Sequence, residues 1–156
     1  MNDMKRLFLL YMMLGTFLWA YDPVGGVLFD LTLEELIETL PEGKEEISGF
    51  YLVLDGIIGS VKVLHPEEGE SFTAQMELVS GAWLSEEEVA LYRADVILRG
   101  AEFRSRIPLS RRDPILPESL IERRRVIVLC RLIDVDSSPD GTPVPVLLAK
   151  AVRVIR

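Results

Sequence analysis

The sequence predicts a mainly β domain of five strands, with a short helix before strand 1 and another between strands 3 and 4. Three observations predict it. Segments that alternate apolar and polar residues recur along the chain, a helix-start signature precedes them, and turns containing Gly or Pro separate them. No repeat, low-complexity tract or long linker divides the 156 residues, so residues 21–156 are expected to form a single domain.

The segment before that domain has its own layout. Lys5 and Arg6 precede Leu7–Ala20, an uncharged run of 14 residues, and Asp22-Pro23 follows. This is the layout of a secretory signal peptide over Met1–Ala20, which places the mature chain in the bacterial envelope, periplasmic or secreted. The run is shorter than the roughly 20 apolar residues of a bilayer span. An uncleaved anchor and a buried helix are the other readings, and Leu18 is larger than the small residue preferred at its position. No Cys lies near the end of the run to carry a lipoprotein anchor.

Asp22–Phe29 reads as an irregular entry segment. Thr32-Leu33-Glu34-Glu35 fits a capping box, and Leu33, Leu36, Ile37 and Leu40 follow at helical spacing, with Pro41-Glu42-Gly43 expected to end the helix. Phe50–Leu64 is a long first strand, bent or bulged at Gly56 and Gly59. His65–Glu70 is a polar turn. Ser71–Trp83 alternates, with Phe72, Ala74, Met76 and Leu78 on one face and Thr73, Gln75 and Glu77 on the other. Val89–Arg99 repeats the pattern, with Tyr92, Ala94, Val96 and Leu98 inward and Arg93, Asp95 and Arg99 outward. Phe103–Ile107 continues that strand after a break at Gly100. Asp113–Glu122, with Pro117 in its first turn, is the second short helix. Arg125–Asp136 lacks polar interruption and is therefore a central strand. Ser138-Pro139-Asp140-Gly141 is a tight turn, and Val144–Ile155 is the last strand, with Pro143 and Pro145 confining its start to an edge.

That order of elements resembles the OB-fold, a small five-stranded Greek-key barrel. The resemblance rests on the bent first strand GFYLVLDGIIGSVKVL, the segment YRADVILRG, and the final pair VIVLCRLIDVD and PVPVLLAKAVRVI. The short helix just before the first strand resembles that of bacterial tRNA-anticodon-binding-like OB domains. The resemblance covers about residues 31–156 and involves no diagnostic motif.

Charge is unevenly distributed. Residues 21–92 carry 16 Asp or Glu against two Lys, whereas residues 93–131 carry ten Arg against five acids. With a net charge of −8, the chain repels phosphate backbones unless the Arg block forms one face. The single Cys130 excludes an intrachain disulfide and, within an apolar run, reads as a small buried residue.

Motifs of catalysis and metal binding find little purchase. Asp134, Asp136, Ser138 and Asp140 have the spacing of a Ca²⁺ loop, but Pro139 stands where Gly is required and Pro145 where a bidentate Glu is required. The residues fit a hairpin turn instead. Glu67, Glu68, Glu70 and Glu86–Glu88 read as solvated loop faces. His65 is the only His and has no nucleophile partner at a suggestive spacing. The sequence therefore points to no enzyme, no cofactor and no metal.

The candidate binding residues are Arg99, Arg104, Arg106, Arg123, Arg124 and Arg125, with Arg111 and Arg112 nearby. Arg suits bidentate recognition of carboxylate or phosphate. These residues either form a docking face or neutralise the acidic half of the same fold. The expected function is an exported, non-enzymatic interaction module that docks an envelope protein through the Arg face or an edge strand. The alternative is binding of a small anionic ligand, oligosaccharide or nucleic acid on the barrel face. Nucleic acid is expected to be an unlikely partner, because residues 73, 75 and 77 with 93, 95 and 99 offer mixed charges and no aromatic platform. Tyr51 and Trp83, the nearest aromatics, could equally be packed. Membrane contact is expected only through an uncleaved Met1–Ala20.

Overall fold

Strand pairing in this protein closes on itself. The computed structural model describes residues 25–65 and 72–155. The expected signal peptide at Met1–Ala20 and the turn carrying Glu67, Glu68 and Glu70 lie outside the described residues. In chain order the elements are β1 (Val27–Leu28), α1 (Leu33–Ser48), β2 (Tyr51–His65), β3 (Thr73–Trp83), β4 (Val89–Arg99), α2 (Ala101–Arg104), β5 (Arg125–Ser137) and β6 (Pro143–Val154). They form one six-stranded sheet in the order β1-β2-β3-β4-β6-β5, and β5 returns to pair with β2. Five strands thus make a ring, mainly β and OB-like in its strand order. Only the β4–β6 ladder of the ring is parallel.

The ring closes because β2 belongs to two ladders. Its first half, Leu52–Ile57, pairs with β5, and its second half, from Ile57 to His65, pairs with β3. The change of partner falls at Gly56. A Cβ there would stand 2.8 Å from the Val79 carbonyl oxygen, so only Gly lets β3 approach while the strand turns. A register shift between Ile58 and Ser60, at Gly59, adds the expected bulge.

Inward positions alternate as expected. Leu52, Leu54, Ile58, Ala74, Met76, Leu78, Ala94, Val96, Leu98, Val126, Val128, Cys130, Leu132 and Leu147 are buried. Fully burying a Leu or Val side chain contributes roughly 1.5–3 kcal/mol. Tyr92 is only half-buried, and its hydroxyl donates to Glu34 at 2.7 Å.

Each end of the ring is closed differently. At one end α1 touches all five ring strands and inserts Leu33, Leu36, Ile37, Leu40 and Ile47. At the other, where β4 ends and β5 begins, the connector 100–124 packs Phe103, Ile107 and Leu120 beside Phe72.

Four expectations need correction. α1 does not stop at Pro41 but runs to Ser48 with Pro41 inside it. The apolar stripe resumes at Ile47, whose burial offsets the hydrogen bond that Pro41 cannot donate. Asp113–Glu122 is a series of turns and not a helix. Pro114 and Pro117 have no N–H, and the Leu120 N–H donates to the Arg106 carbonyl at 2.8 Å, away from any local ladder. The helix between β4 and β5 is instead the single turn α2, where a continued strand was expected at Phe103–Ile107; Gly100, at φ 109°, turns the chain out of β4. Finally, the entry segment contributes β1, which pairs in parallel with Tyr51 and Leu52 and raises the strand number from five to six.

Candidate functional site

The six candidate arginines gather at the connector end, but their side chains have different tasks. Arg123 and Arg124 lie against β2: the Arg123 N–H donates to the Ile58 carbonyl at 2.8 Å, and the Arg124 carbonyl accepts from the Ile58 N–H at 2.9 Å. Arg125 sits opposite Ile57 and pairs with Asp55 at 2.7 Å. Arg99 is exposed at the end of β4, opposite Thr73.

Three of the six side chains are built into the fold. The Arg104 guanidinium lies over the Phe72 ring at 5.9 Å. Arg106 donates from Nε to the Glu118 carbonyl at 3.1 Å and from Nη1 to the Val152 carbonyl at 2.8 Å. Burial pulls its pKa below the ordinary Arg value, opposed by nearby Glu118. Arg124 Nη1 donates to the Pro117 carbonyl. Among the described residues only Arg125 of the six forms an ion pair with a carboxylate. The block therefore does not neutralise the acidic half residue by residue.

The charge is instead sorted by region. The ring strands carry seven Lys or Arg (Lys62, Arg93, Arg99, Arg125, Arg131, Lys150, Arg153) against five acids (Asp55, Glu77, Asp95, Asp134, Asp136). The connector carries six Arg against four acids. In contrast, α1 carries six Glu against Lys44, and the β3–β4 turn carries Glu86, Glu87 and Glu88. A chain that is acidic overall thus presents a sheet wall with a cationic excess.

That wall also has apolar patches. On its outer face Ile57 and Val79 are cross-strand partners, and Val79 faces Arg93 while Ile57 faces Arg125. Ile127 and Arg153 are opposite each other on β5 and β6. A groove of about 540 Å³ runs beside them, lined by Arg106, Glu118, Ile127, Leu129, Ala151 and Arg153 among others. Arg131 lies over the Tyr51 ring at 5.5 Å. Arg93 reaches Glu77 at 3.8 Å, a diagonal pair across β3 and β4, worth ~0.2–1 kcal/mol.

Trp83 is the residue whose placement the sequence left open. It is 74% exposed, on the same face as its partner Val89. The strict alternation of β3, in which the odd-numbered residues point outward, carried that signal. The β3–β4 hairpin runs past the ring here: β2 pairs with β3 only up to Val79, and β6 pairs with β4 only at Asp95–Ile97.

The remaining candidates act locally. Asp134, Asp136 and Asp140 accept from the N–H groups of Val135, Ser137 and Thr142 respectively. The Val135 N–H, with Lys44 in second place, holds the Asp134 carboxyl below its ordinary pKa. Gly141, at φ 85°, completes the expected turn. Cys130 is buried, which pushes its thiol up to about 12. His65 is exposed at the end of β2.

No protein-family model matches the chain, and no curated protein matches it. Solved structures similar to it include a Plasmodium falciparum single-stranded-DNA-binding protein in complex with single-stranded DNA, with 12% identity over 68% of this chain and 94% of that one, at a TM-score of 0.46. A small single-stranded DNA-binding protein from Streptomyces coelicolor has 13% identity over 67% of this chain and 93% of that one, at 0.45. A mitochondrial single-stranded DNA-binding protein from S. cerevisiae has 14% identity over 68% and 94%, at 0.36. These proteins stand against two expectations, which are corrected here: that the chain is an exported module docking an envelope protein, and that nucleic acid is an unlikely partner. The geometry gives a reason of its own. Among the described residues, the acidic excess that weighed against phosphate is in α1 and the hairpin turn, not on the sheet wall.

Proposed function

We propose that the ring is a five-stranded OB-like Greek-key barrel whose outer wall binds single-stranded nucleic acid without catalysing a reaction. The observation that supports this reading is the sorting of charge. Phosphates meet an excess of Arg and Lys over acids on the strands and connector, while among the described residues the acidic excess lies on α1 and the hairpin turn. Bases find exposed Ile57 and Ile127 and the Arg131–Tyr51 stack, surfaces that accept any base. The anticodon-binding-like branch of the fold falls within this reading, since an RNA loop presents the same phosphates and unstacked bases.

Anisotropy of a labelled oligothymidylate tests it. The wild-type chain should bind at low salt, and a variant carrying Arg93→Glu, Arg125→Glu and Arg153→Glu should lose at least about tenfold in affinity, since each contact removed lowers the phosphate contribution. All three side chains are exposed, so the fold should persist. Equal binding by the variant would overturn the reading.

A further inference from the structure

We propose that this chain associates head to tail with copies of itself, the β3–β4 hairpin of one copy seating Trp83 in an apolar hollow at the opposite end of the next. The hairpin carries four exposed large apolar residues together: Trp83 at 74%, Leu84 at 57%, Val89 at 45% and Leu91 at 62%. Trp83 faces Val89 and Leu91 faces Gly81, so three of them share one face of the two strands. An apolar cluster of this kind on a projecting element marks an interaction surface.

The hollow lies at the connector end. It measures about 480 Å³ and is lined by Val61, Val63, Ile107, Pro108, Ile115 and Leu120, with Glu122 and Arg123 at its polar margin. Val61 and Val63 pair with Met76 and Ala74 near the start of β3, whereas the hairpin is the continuation of the end of β3. The two surfaces are therefore at opposite ends of the ring.

Charge selects the occupant. Glu86, Glu87 and Glu88 adjoin the apolar cluster in the hairpin turn, whereas the hollow belongs to the connector, which carries six Arg against four acids. Arg123 stands beside Glu122 at its margin, and exposed Leu109, Arg111, Arg112 and Leu116 are in the loop between its lining residues Pro108 and Leu120. Apolar groups thus meet apolar groups while the three acids of the hairpin turn meet the end of the ring that has the Arg excess. The same three acids disfavour a phosphate backbone at Trp83. Because one patch meets a different patch, the contact is heterologous and propagates from copy to copy unless a ring closes. This inference goes beyond the nucleic-acid reading and does not rest on it.

Sedimentation velocity of the full chain without nucleic acid, over a concentration series, tests the proposal. Wild-type protein should grow beyond the dimer as concentration rises. Trp83→Asp and Ile115→Asp, both at exposed positions, should each be monomeric. Their equimolar mixture should form dimers and stop, because each variant retains one half of the contact. Association by another part of the chain would survive both substitutions and overturn the proposal. A mixture that stays monomeric while wild type dimerises would also overturn it, as would dimers of Ile115→Asp alone, which would favour a hairpin-to-hairpin contact. A wild-type chain that is monomeric throughout, but binds oligothymidylate in a Trp83-dependent manner, would assign the hairpin to nucleic acid and overturn it as well.

Discussion

The two ends of the ring are closed by opposite means. At one end a 16-residue helix satisfies its own backbone and presents a continuous apolar stripe. At the other, a connector with a single helical turn hands its backbone groups to distant partners. The Leu120 N–H goes to the Arg106 carbonyl, and the Arg106 guanidinium goes to the carbonyls of Glu118 and Val152. The first end is acidic and the second is rich in Arg. The difference teaches that arginine in this protein has two uses, one as mortar within the fold and one as surface charge, and that only the structure separates them.

Removing a plug from either end should have the largest effect. Phe103 is 1% exposed and Leu36 0%. Phe103→Ala should destabilise by about 3–5 kcal/mol and Leu36→Ala by about 2–5 kcal/mol, read from guanidinium unfolding midpoints. A Phe103→Ala loss well below 1 kcal/mol would mean that the connector end is not packed and would break the comparison.

Arg106 comes next. Arg106→Ala should cost about 1.5–3 kcal/mol, the range for hydrogen bonds from a charged donor. Arg106→Lys should recover little of it, because an ammonium lacks the fork that reaches both carbonyls. Full recovery by Lys would reduce the mortar to simple charge.

At the helical end the cap is the weaker link. The Thr32 N–H donates to the Glu35 carboxylate at 2.8 Å, and the Thr32 hydroxyl accepts from the Glu35 N–H at 3.2 Å. Thr32→Ala should cost about 1 kcal/mol near neutral pH. The Thr32 N–H first, and then the Thr32 hydroxyl, which donates to the same carboxylate at 2.9 Å, hold the Glu35 pKa below its ordinary 4.5. A depressed carboxyl pKa contributes stability above the unfolded value and loses it as pH falls through the folded value. The gap between wild type and Thr32→Ala should therefore narrow as pH is lowered below that ordinary value. A gap that is constant with pH would remove the bond from the Thr32 hydroxyl to the Glu35 carboxylate from the cap.

The smallest effect belongs to surface charge. Arg125 and Asp55 side chains are 64% and 56% exposed, so Arg125→Ala should change stability by no more than ~1 kcal/mol. A larger loss would place Arg125 with Arg106 as a structural group and weaken its assignment to the wall.

The same contrast explains what could be read from the residues alone. The boundaries of β4 follow from alternation, and the start of α1 follows from Thr32 and Glu35, because those patterns report local geometry. The end of α1 could not be read, since the burial of Ile47 beyond Pro41 is a tertiary gain. The connector was misread for the same reason: Pro117 suits a first helical turn, but the nearby backbone bonds to Arg106, far along the chain. For the site, the cationic wall was illegible because residues such as Arg93, Arg125 and Arg153 are brought around one ring by pairing, not by sequence proximity. Trp83 was legible in principle from its outward parity in β3.

The central claim is that the sheet wall meets phosphate although the whole chain is acidic. Its most direct test is the affinity of the wild-type chain for oligothymidylate measured across salt concentrations. The account predicts binding that weakens linearly in log–log form as salt rises, with a slope of about −0.7 for each phosphate neutralised on a single strand. Absence of binding at low salt, or binding with no dependence on salt, would contradict it.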